Sequence, residues 1–262
     1  MPEGHTIHRL AQDHAKLYLN QELAVSSPQG RFSDGAAELD GQTFTRAEAL
    51  GKHLLYHWSD TPLVLHIHLG LFGRFRNWRG EPPEPKGAIR LRLTTPDHTT
   101  DLSGPTACEL LDPVAVDAIR ARIGPDPLGN GDVERFVRAC AKTRRSIAAV
   151  LMDQKVIAGV GNVYRAEMLY RARLAPMTPA KELREQTVRA LWDDASMLLK
   201  IGVRTKRIVT VRPEESPGRR TRDGRHWVYK RPSCRTCSQD IETASLANRT
   251  LYWCPSCQVE TR

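Results

Sequence analysis

Ile7, Leu10, Ala11, His14, Leu17 and Tyr18 fall at helical spacing, which predicts a short amphipathic helix over residues 7–18. From about residue 23 to 111 the periodicity changes. The runs LLYHW (54–58) and LVLHIHL (63–69) are separated by Ser59-Asp60-Thr61-Pro62, a hairpin-turn composition, and Ile89-Arg90-Leu91-Arg92-Leu93 alternates with period two. Such spacing fits an antiparallel sandwich or barrel rather than a parallel sheet. A boundary is expected at Gly124-Pro125-Asp126-Pro127-Leu128-Gly129. Beyond it the pattern predicts helices at 132–142, 144–153, 162–172 and 181–201, the last with Leu183, Val188, Leu191, Trp192 and Leu198 as its apolar positions.

Composition narrows the class. Of 262 residues, 40% are hydrophobic and 26% charged, which excludes a disordered chain, and no apolar run approaches the roughly 20 residues that a bilayer span needs. The first residues, MPEGHTIHRL, lack the apolar stretch of a signal peptide, so a cytoplasmic location is expected. The net charge of +9 is unevenly distributed. Residues 1–120 hold 12 basic and 15 acidic side chains, whereas 121–262 hold 27 and 15. Ten basic and three acidic residues lie between 204 and 231 alone. One strongly basic half points to an extended anion such as nucleic acid, although a solvated basic surface would give the same composition.

Four of the six cysteines sit near the end of the chain as Cys234-x2-Cys237 and Cys254-x2-Cys257. Two such knuckles sixteen residues apart fit one tetrahedral structural Zn2+ site; four thiolates leave no open position for catalysis. The tail is too short to build its own core, so metal binding would decide whether it folds. Asn248-Arg249-Thr250, between the knuckles, places an arginine where its planar fork could clamp a phosphate.

Pro2 follows Met1 directly, and a small second residue permits removal of the initiator methionine. The exposed secondary amine would titrate near pH 8 rather than the 10.4 of lysine, so its neutral fraction at pH 7 is larger by roughly two hundredfold. A neutral amine of this kind can attack a sugar C1′ and form an iminium, and Glu3 could move the protons.

Three segments, MPEGHTIHR, LMDQKVIAGVGNVYRAEMLYRARLAP (151–176) and the four-cysteine ribbon with Asn248-Arg249-Thr250, occur in this order along the chain. In this the chain resembles the formamidopyrimidine-DNA glycosylase / endonuclease VIII family over essentially its full length. The resemblance implies an α+β multidomain fold: an N-terminal β-sandwich with flanking helices (1–122), a helix–two-turn–helix domain (130–222) and a zinc finger (227–262). It implies a base-excision repair glycosylase with abasic-site lyase activity, with damaged DNA as partner and one structural zinc. It also implies a monomeric, bacterial, nucleoid-associated protein.

By the same resemblance Pro2 is the nucleophile, Glu3 the general acid/base, and Lys52, in Gly51-Lys52-His53, a phosphate-binding residue that assists catalysis. Arg249 is the zinc-finger arginine, Asn162 of Gly159-Val160-Gly161-Asn162 contacts phosphate, and Lys155 joins the DNA-binding set. Glycines let backbone approach a phosphate closely, and the helix opening at Asn162 favours an anion at its N-terminus. Leu71 and Phe72, in His68-Leu69-Gly70-Leu71-Phe72-Gly73, are candidates to fill the hole left by an extruded base, with core packing as the competing reading. The stretch 213–226 falls where some relatives carry a loop over the flipped base. Two departures stand out: Thr6 occupies a position where many relatives have glutamate, and Pro2-Glu3-Gly4 resembles the endonuclease VIII branch, which favours oxidised pyrimidines and abasic sites. A purine-preferring glycosylase and a non-catalytic zinc-ribbon nucleic-acid-binding module are the alternatives.

Overall fold

The computed structural model of the chain describes residues 2–80, 82–129, 131–211 and 222–259. By internal contacts the chain divides into two compact units, Met1–Arg122 and Ile123–Arg262.

The first unit opens with α1 (Gly4–Tyr18), three residues earlier than the apolar pattern indicates, followed by β1 (Ala24–Ser26) and α2 (Ser33–Leu39). Strands β2 (Phe44–Leu50), β3 (His53–Trp58), β4 (Val64–His68), β5 (Arg74–Arg79), β6 (Ile89–Thr94), β7 (His98–Ser103) and β8 (Ala107–Leu111) lead to α3 (Pro113–Arg122). The strands form two antiparallel sheets, ordered β2-β3-β4-β8 and β1-β6-β7-β5. Period-two alternation decides what each face does. Leu54, Tyr56, Leu65 and Ile67 of one sheet meet Val25, Leu91, Leu93 and Leu102 of the other, with Ile7, Leu10 and Tyr18 of α1 in the same core. Each such side chain contributes about 1.5–3 kcal/mol on burial. The opposite face of β3 and β4 carries Leu55 and Val64, which pack on Val116 of α3, and also a row of histidines. This is the expected sandwich with flanking helices.

The second unit contains α4 (Val133–Ala141), α5 (Ile147–Val150), α6 (Asn162–Arg171), α7 (Glu185–Thr205) and the hairpin β9 (Glu242–Leu246)–β10 (Arg249–Trp253). Two helices depart from the sequence pattern. The stretch 144–153 yields one helical turn, started by Ser146, whose Oγ accepts from the Ala149 N–H (3.3 Å). Helix α7 begins at Glu185 rather than 181, because the backbone is extended at Leu183 and Arg184 (ψ of 139° and 143°); Ala180–Glu182 form a separate 3-10 turn, whose Ala180 and Lys181 N–H groups bond to the carbonyls of Arg145 and Thr143 (2.9 and 3.1 Å). It runs on to Thr205 and stops at Lys206, whose φ of +60° is a left-handed cap.

Residues 162–170 of α6 are buried on every side. Tyr164, Met168 and Leu169 join the core shared with α4, α5 and α7, whereas Ala166 and Tyr170 pack on Val228, Cys234 and Cys254. A helix enclosed by core on one side and ribbon on the other shows no amphipathic stripe. The cysteine ribbon therefore shares a unit with the helices. Among the described residues, no helix is long and apolar enough to cross a membrane.

Candidate active site and nucleic-acid interface

In the first unit, Pro2 is half-buried and Glu3 has no exposed surface; Glu3 is the N-cap residue of α1. Its carbonyl accepts from the Thr6 N–H (2.8 Å), but its carboxylate does not cap the first turn. Thr6 Oγ1 lies 3.2 Å from His5 Nε2. Burial, with Arg9 adding to it, lowers His5 to a pKa of about 4, so this imidazole is neutral near pH 7.

Helix α1 packs against β2 and β3, the arms of the hairpin that carries Lys52. Leu50 pairs with His53, leaving Gly51-Lys52 as a two-residue loop with φ of +58° at Gly51 alone. This is the signature of a type II′ turn, which wants glycine at its first position. Sequence reasoning missed what lies beside it. His53 Nδ1 meets His66 Nε2 (2.8 Å), and His66 Nδ1 meets Glu109 Oε1 (3.0 Å), while the His53 and His68 rings lie 5.1 Å apart. Burial is the main cause that lowers His53 to about 3, with the other two histidines, Arg122 and Lys52 adding to it; His68 is lowered for similar reasons. Period-two spacing of His66 and His68 was the available signal, since it places both on one face of β4.

Leu71 and Phe72 are 43% and 83% exposed, so neither is a core residue. They project from the short connection between β4 and β5.

In the second unit, Asn162 is bonded to the hairpin that carries Arg249. Gly161 is the N-cap of α6, so Asn162 is the first helical residue rather than the cap. Its Nδ2 donates to the carbonyl of Thr250 (2.9 Å), next to Arg249, and its Oδ1 accepts from Arg165 Nη2. Arg165 is wholly buried, and its guanidinium also reaches the carbonyls of Leu246 and Thr250, each at 3.5 Å. The hairpin tip is thereby held to the start of α6. Ala247 and Asn248 form its two-residue loop with φ of +54° and +57°, as a type I′ turn requires. Arg249, first in β10, is half-buried and its Nη1 donates to the Asn248 carbonyl (2.8 Å). Lys155 is exposed in the loop before α6, where Gln154 bonds to the Val160 carbonyl (2.9 Å) and the Gly159 N–H (3.0 Å). The stretch 213–226 lies outside the described residues as far as 221. Its stems are held by Glu167, a buried carboxylate on α6. Glu167 accepts from the backbone N–H groups of Trp227 (2.7 Å), Val228 (2.9 Å) and Tyr229 (2.8 Å), and from the Thr210 hydroxyl.

The sulfurs of Cys234, Cys237, Cys254 and Cys257 all lie within 4.8 Å of one another, with Cys237 and Cys254 at 3.4 Å and Cys234 and Cys257 at 3.9 Å. A tetrahedron of about 2.3 Å metal–sulfur bonds separates its sulfurs by roughly 3.8 Å, whereas a disulfide would need about 2.0 Å. The four thiols can therefore hold one metal ion, with Tyr170 Oη 3.4 Å from Cys234 Sγ. Gln258 docks the second knuckle by donating to the Leu174 carbonyl (3.0 Å).

Residues 1–104 match the formamidopyrimidine-DNA glycosylase N-terminal domain and 123–213 the formamidopyrimidine-DNA glycosylase H2TH domain. "Endonuclease 8 1" of Mycobacterium tuberculosis (strain ATCC 25618 / H37Rv) is 45% identical, covering 98% of this chain and 100% of its own length. The chain belongs to the formamidopyrimidine-DNA glycosylase / endonuclease VIII family. It is thus an endonuclease VIII-like enzyme of the DNA glycosylase/lyase class. A second family member, "Endonuclease 8" of Pectobacterium atrosepticum, is 31% identical over 98% of the chain and 100% of the relative. The fold is shared with Lactococcus lactis Fpg in complex with an abasic site containing DNA, at a TM-score of 0.81 and 23% identity, covering 98% of this chain and 99% of that one.

Proposed function

We propose that this enzyme excises oxidised bases, chiefly pyrimidines, from DNA and cleaves the resulting abasic site through a Schiff base on Pro2. The observation that carries the reading is the start of the chain: a proline whose neighbour, Glu3, is a buried carboxylate at a helix N-terminus, in a family member 45% identical to an endonuclease 8. Once Met1 is removed, the neutral Pro2 amine forms a bond to C1′ as the glycosidic bond breaks, and the base departs with that electron pair and takes a proton from water. The Glu3 carboxylate takes up the amine proton and passes it to the ring oxygen as the sugar opens, which yields the iminium. Removal of a C2′ proton then expels the 3′ phosphate by β-elimination, and a second elimination releases the 5′ phosphate. Water hydrolyses the iminium and restores the amine.

Around this chemistry, Lys52, Lys155, Asn162 and Arg249 hold DNA phosphates, so affinity falls steeply with salt. The Asn162 amide already bonds to the Thr250 carbonyl, so it meets phosphate only by sharing or exchanging that bond. Zn2+ on the four cysteines keeps the Arg249 hairpin folded and takes no part in the reaction. A DNA partner is supported by fold relatives crystallised on abasic-site and Fapy-dG DNA.

Borohydride reduction with abasic-site duplex tests the reading. The wild-type protein, with its intact mass showing Met1 removed, should be trapped as a covalent adduct. Pro2→Ala should lose the adduct and keep DNA binding. A wild-type protein that binds DNA without forming an adduct would refute the mechanism. Faster excision of 8-oxoguanine than of dihydrouracil would overturn the pyrimidine preference.

A further inference from the structure

The C-terminal end of α6 sends two side chains to the cysteine cluster, one towards each knuckle. Tyr170 is buried, and its hydroxyl lies 3.4 Å from Cys234 Sγ and 2.6 Å from Thr236 Oγ1. The Thr236 N–H also donates to Cys234 Sγ (3.4 Å). Two neighbours fix the tyrosine ring. Trp227 stacks on it with centroids 5.5 Å apart, and the Arg173 guanidinium stands 4.9 Å from its centroid. The same guanidinium meets the Cys257 sulfur, by charge and by hydrogen bond.

The backbone is shaped to deliver the arginine. The Arg173 N–H bonds to the Tyr170 carbonyl and the Leu174 N–H to the Leu169 carbonyl, both at 3.0 Å, which closes the helix as a Schellman motif. That motif puts Arg173 in the left-handed region, with φ of +57°, where glycine is the usual residue. An arginine there carries a steric cost that glycine would not. The side chain that accompanies this cost is the one that reaches the Tyr170 ring and Cys257.

A metal-bound thiolate can only accept hydrogen bonds, which fixes the direction of the chain of hydroxyls. Tyr170 must donate its one proton to Cys234, so Thr236 must donate its own to Tyr170. Donors in series polarise one another and strengthen the last bond. Four thiolates outweigh the charge of a divalent cation, so such a site favours donors and positive charge around it. Removing a partner of a metal ligand typically costs roughly 10–100-fold in metal affinity.

We propose that Tyr170 and Arg173 are positioning residues for the metal: the tyrosine hydroxyl steadies the Cys234 thiolate and the arginine the Cys257 thiolate, so that α6 holds both knuckles around the ion. This rests on the four-thiolate zinc reading above. One helix then serves two purposes. Its first residue, Asn162, bonds to the hairpin that carries Arg249, and its C-terminal end holds the ion.

The test measures zinc affinity on the full chain by competition with a chromophoric chelator, and the thiolate-to-metal charge-transfer band after substitution with Co2+. Tyr170→Phe keeps the ring and removes only the hydroxyl; it should bind zinc about tenfold more weakly. A thiolate without its donor gives up electrons more readily, so the Co2+ band of this variant should move to longer wavelength. Arg173→Gly suits the left-handed backbone better than arginine, so strain cannot explain a loss; it too should weaken zinc about tenfold. Arg173→Lys keeps the charge and should recover part of that loss. Melting temperatures in excess zinc equal to that of the wild type verify folding; where one is lower, the Co2+ band, read on the loaded protein, decides. An affinity indistinguishable from wild type in either Tyr170→Phe or Arg173→Gly would overturn the proposal. Weaker binding by Tyr170→Phe with an unmoved Co2+ band would also overturn it, since loss of packing alone gives that result. A wild type that takes up less than one equivalent of metal would instead strike the four-thiolate site itself.

Discussion

Glu167→Gln is the sharpest probe of how the second unit is held together. The two carboxylate oxygens divide four donors: Oε2 takes the Trp227 N–H and the Thr210 hydroxyl, and Oε1 takes the Val228 and Tyr229 N–H groups. Glutamine replaces one acceptor oxygen by an NH2 donor. If its amide nitrogen takes the Oε2 position, the Thr210 hydroxyl can turn wholly to the Arg225 carbonyl, 3.0 Å away, and accept from the amide. The Trp227 N–H is then left facing a donor. In the other orientation both the Val228 and Tyr229 N–H groups are stranded. A buried donor without its acceptor costs about 1–3 kcal/mol, and the surviving bonds lose the extra strength of a charged acceptor. The expected loss is thus about 3–5 kcal/mol for the better orientation. For a unit of this size that lowers the melting temperature by about 10 °C. Urea and thermal unfolding followed by tryptophan fluorescence would measure it, since Trp227 sits at the cradle. A loss below about 1 kcal/mol, the low end for one stranded donor, would refute the view that this carboxylate organises the stems of the 213–226 stretch.

Two further outcomes concern buried and metal-binding groups. His14, wholly buried against Tyr56, is lowered by burial to a pKa of about 4 from an unfolded value near 6.5, so the unfolded chain binds the proton first. Its contribution, up to about 3 kcal/mol, is therefore complete above pH 6.5 and lost as pH falls towards 4. A melting temperature unchanged between pH 7 and 4.5 would contradict this. Cys237→Ser, or chelation of the wild type, should remove one equivalent of metal by elemental analysis. It should expose residues 233–259 to proteolysis while α4 and α7 stay protected; retention of a full metal equivalent by the variant would exclude the four-thiolate site.

Several features were legible in the order of residues alone. The strand runs at 54–58 and 63–69 lie within or beside β3 and β4, because alternation directly encodes which face is buried. The four cysteines announced a metal site through local spacing, and their sulfurs do converge. Helix boundaries were less legible where loops intervened: residues 180–181 are anchored by N–H bonds to the carbonyls of 145 and 143, and the chain is extended at 183–184 before α7 starts, an arrangement invisible to periodicity. Whether Leu71 and Phe72 were core or surface was open from sequence alone, since apolar residues serve both.

The sequence by itself determined the periodicities, the charge asymmetry, the thiolate spacing and the family. These are properties of residues close together in the chain or of motifs that need no partner. Only the tertiary structure decided what the polar residues of α6 do. Asn162 and Arg165 reach a hairpin more than eighty residues away, and Glu167 gathers N–H groups some sixty residues on. A buried polar group must find its partner wherever the fold brings one, and that pairing is written in no local pattern.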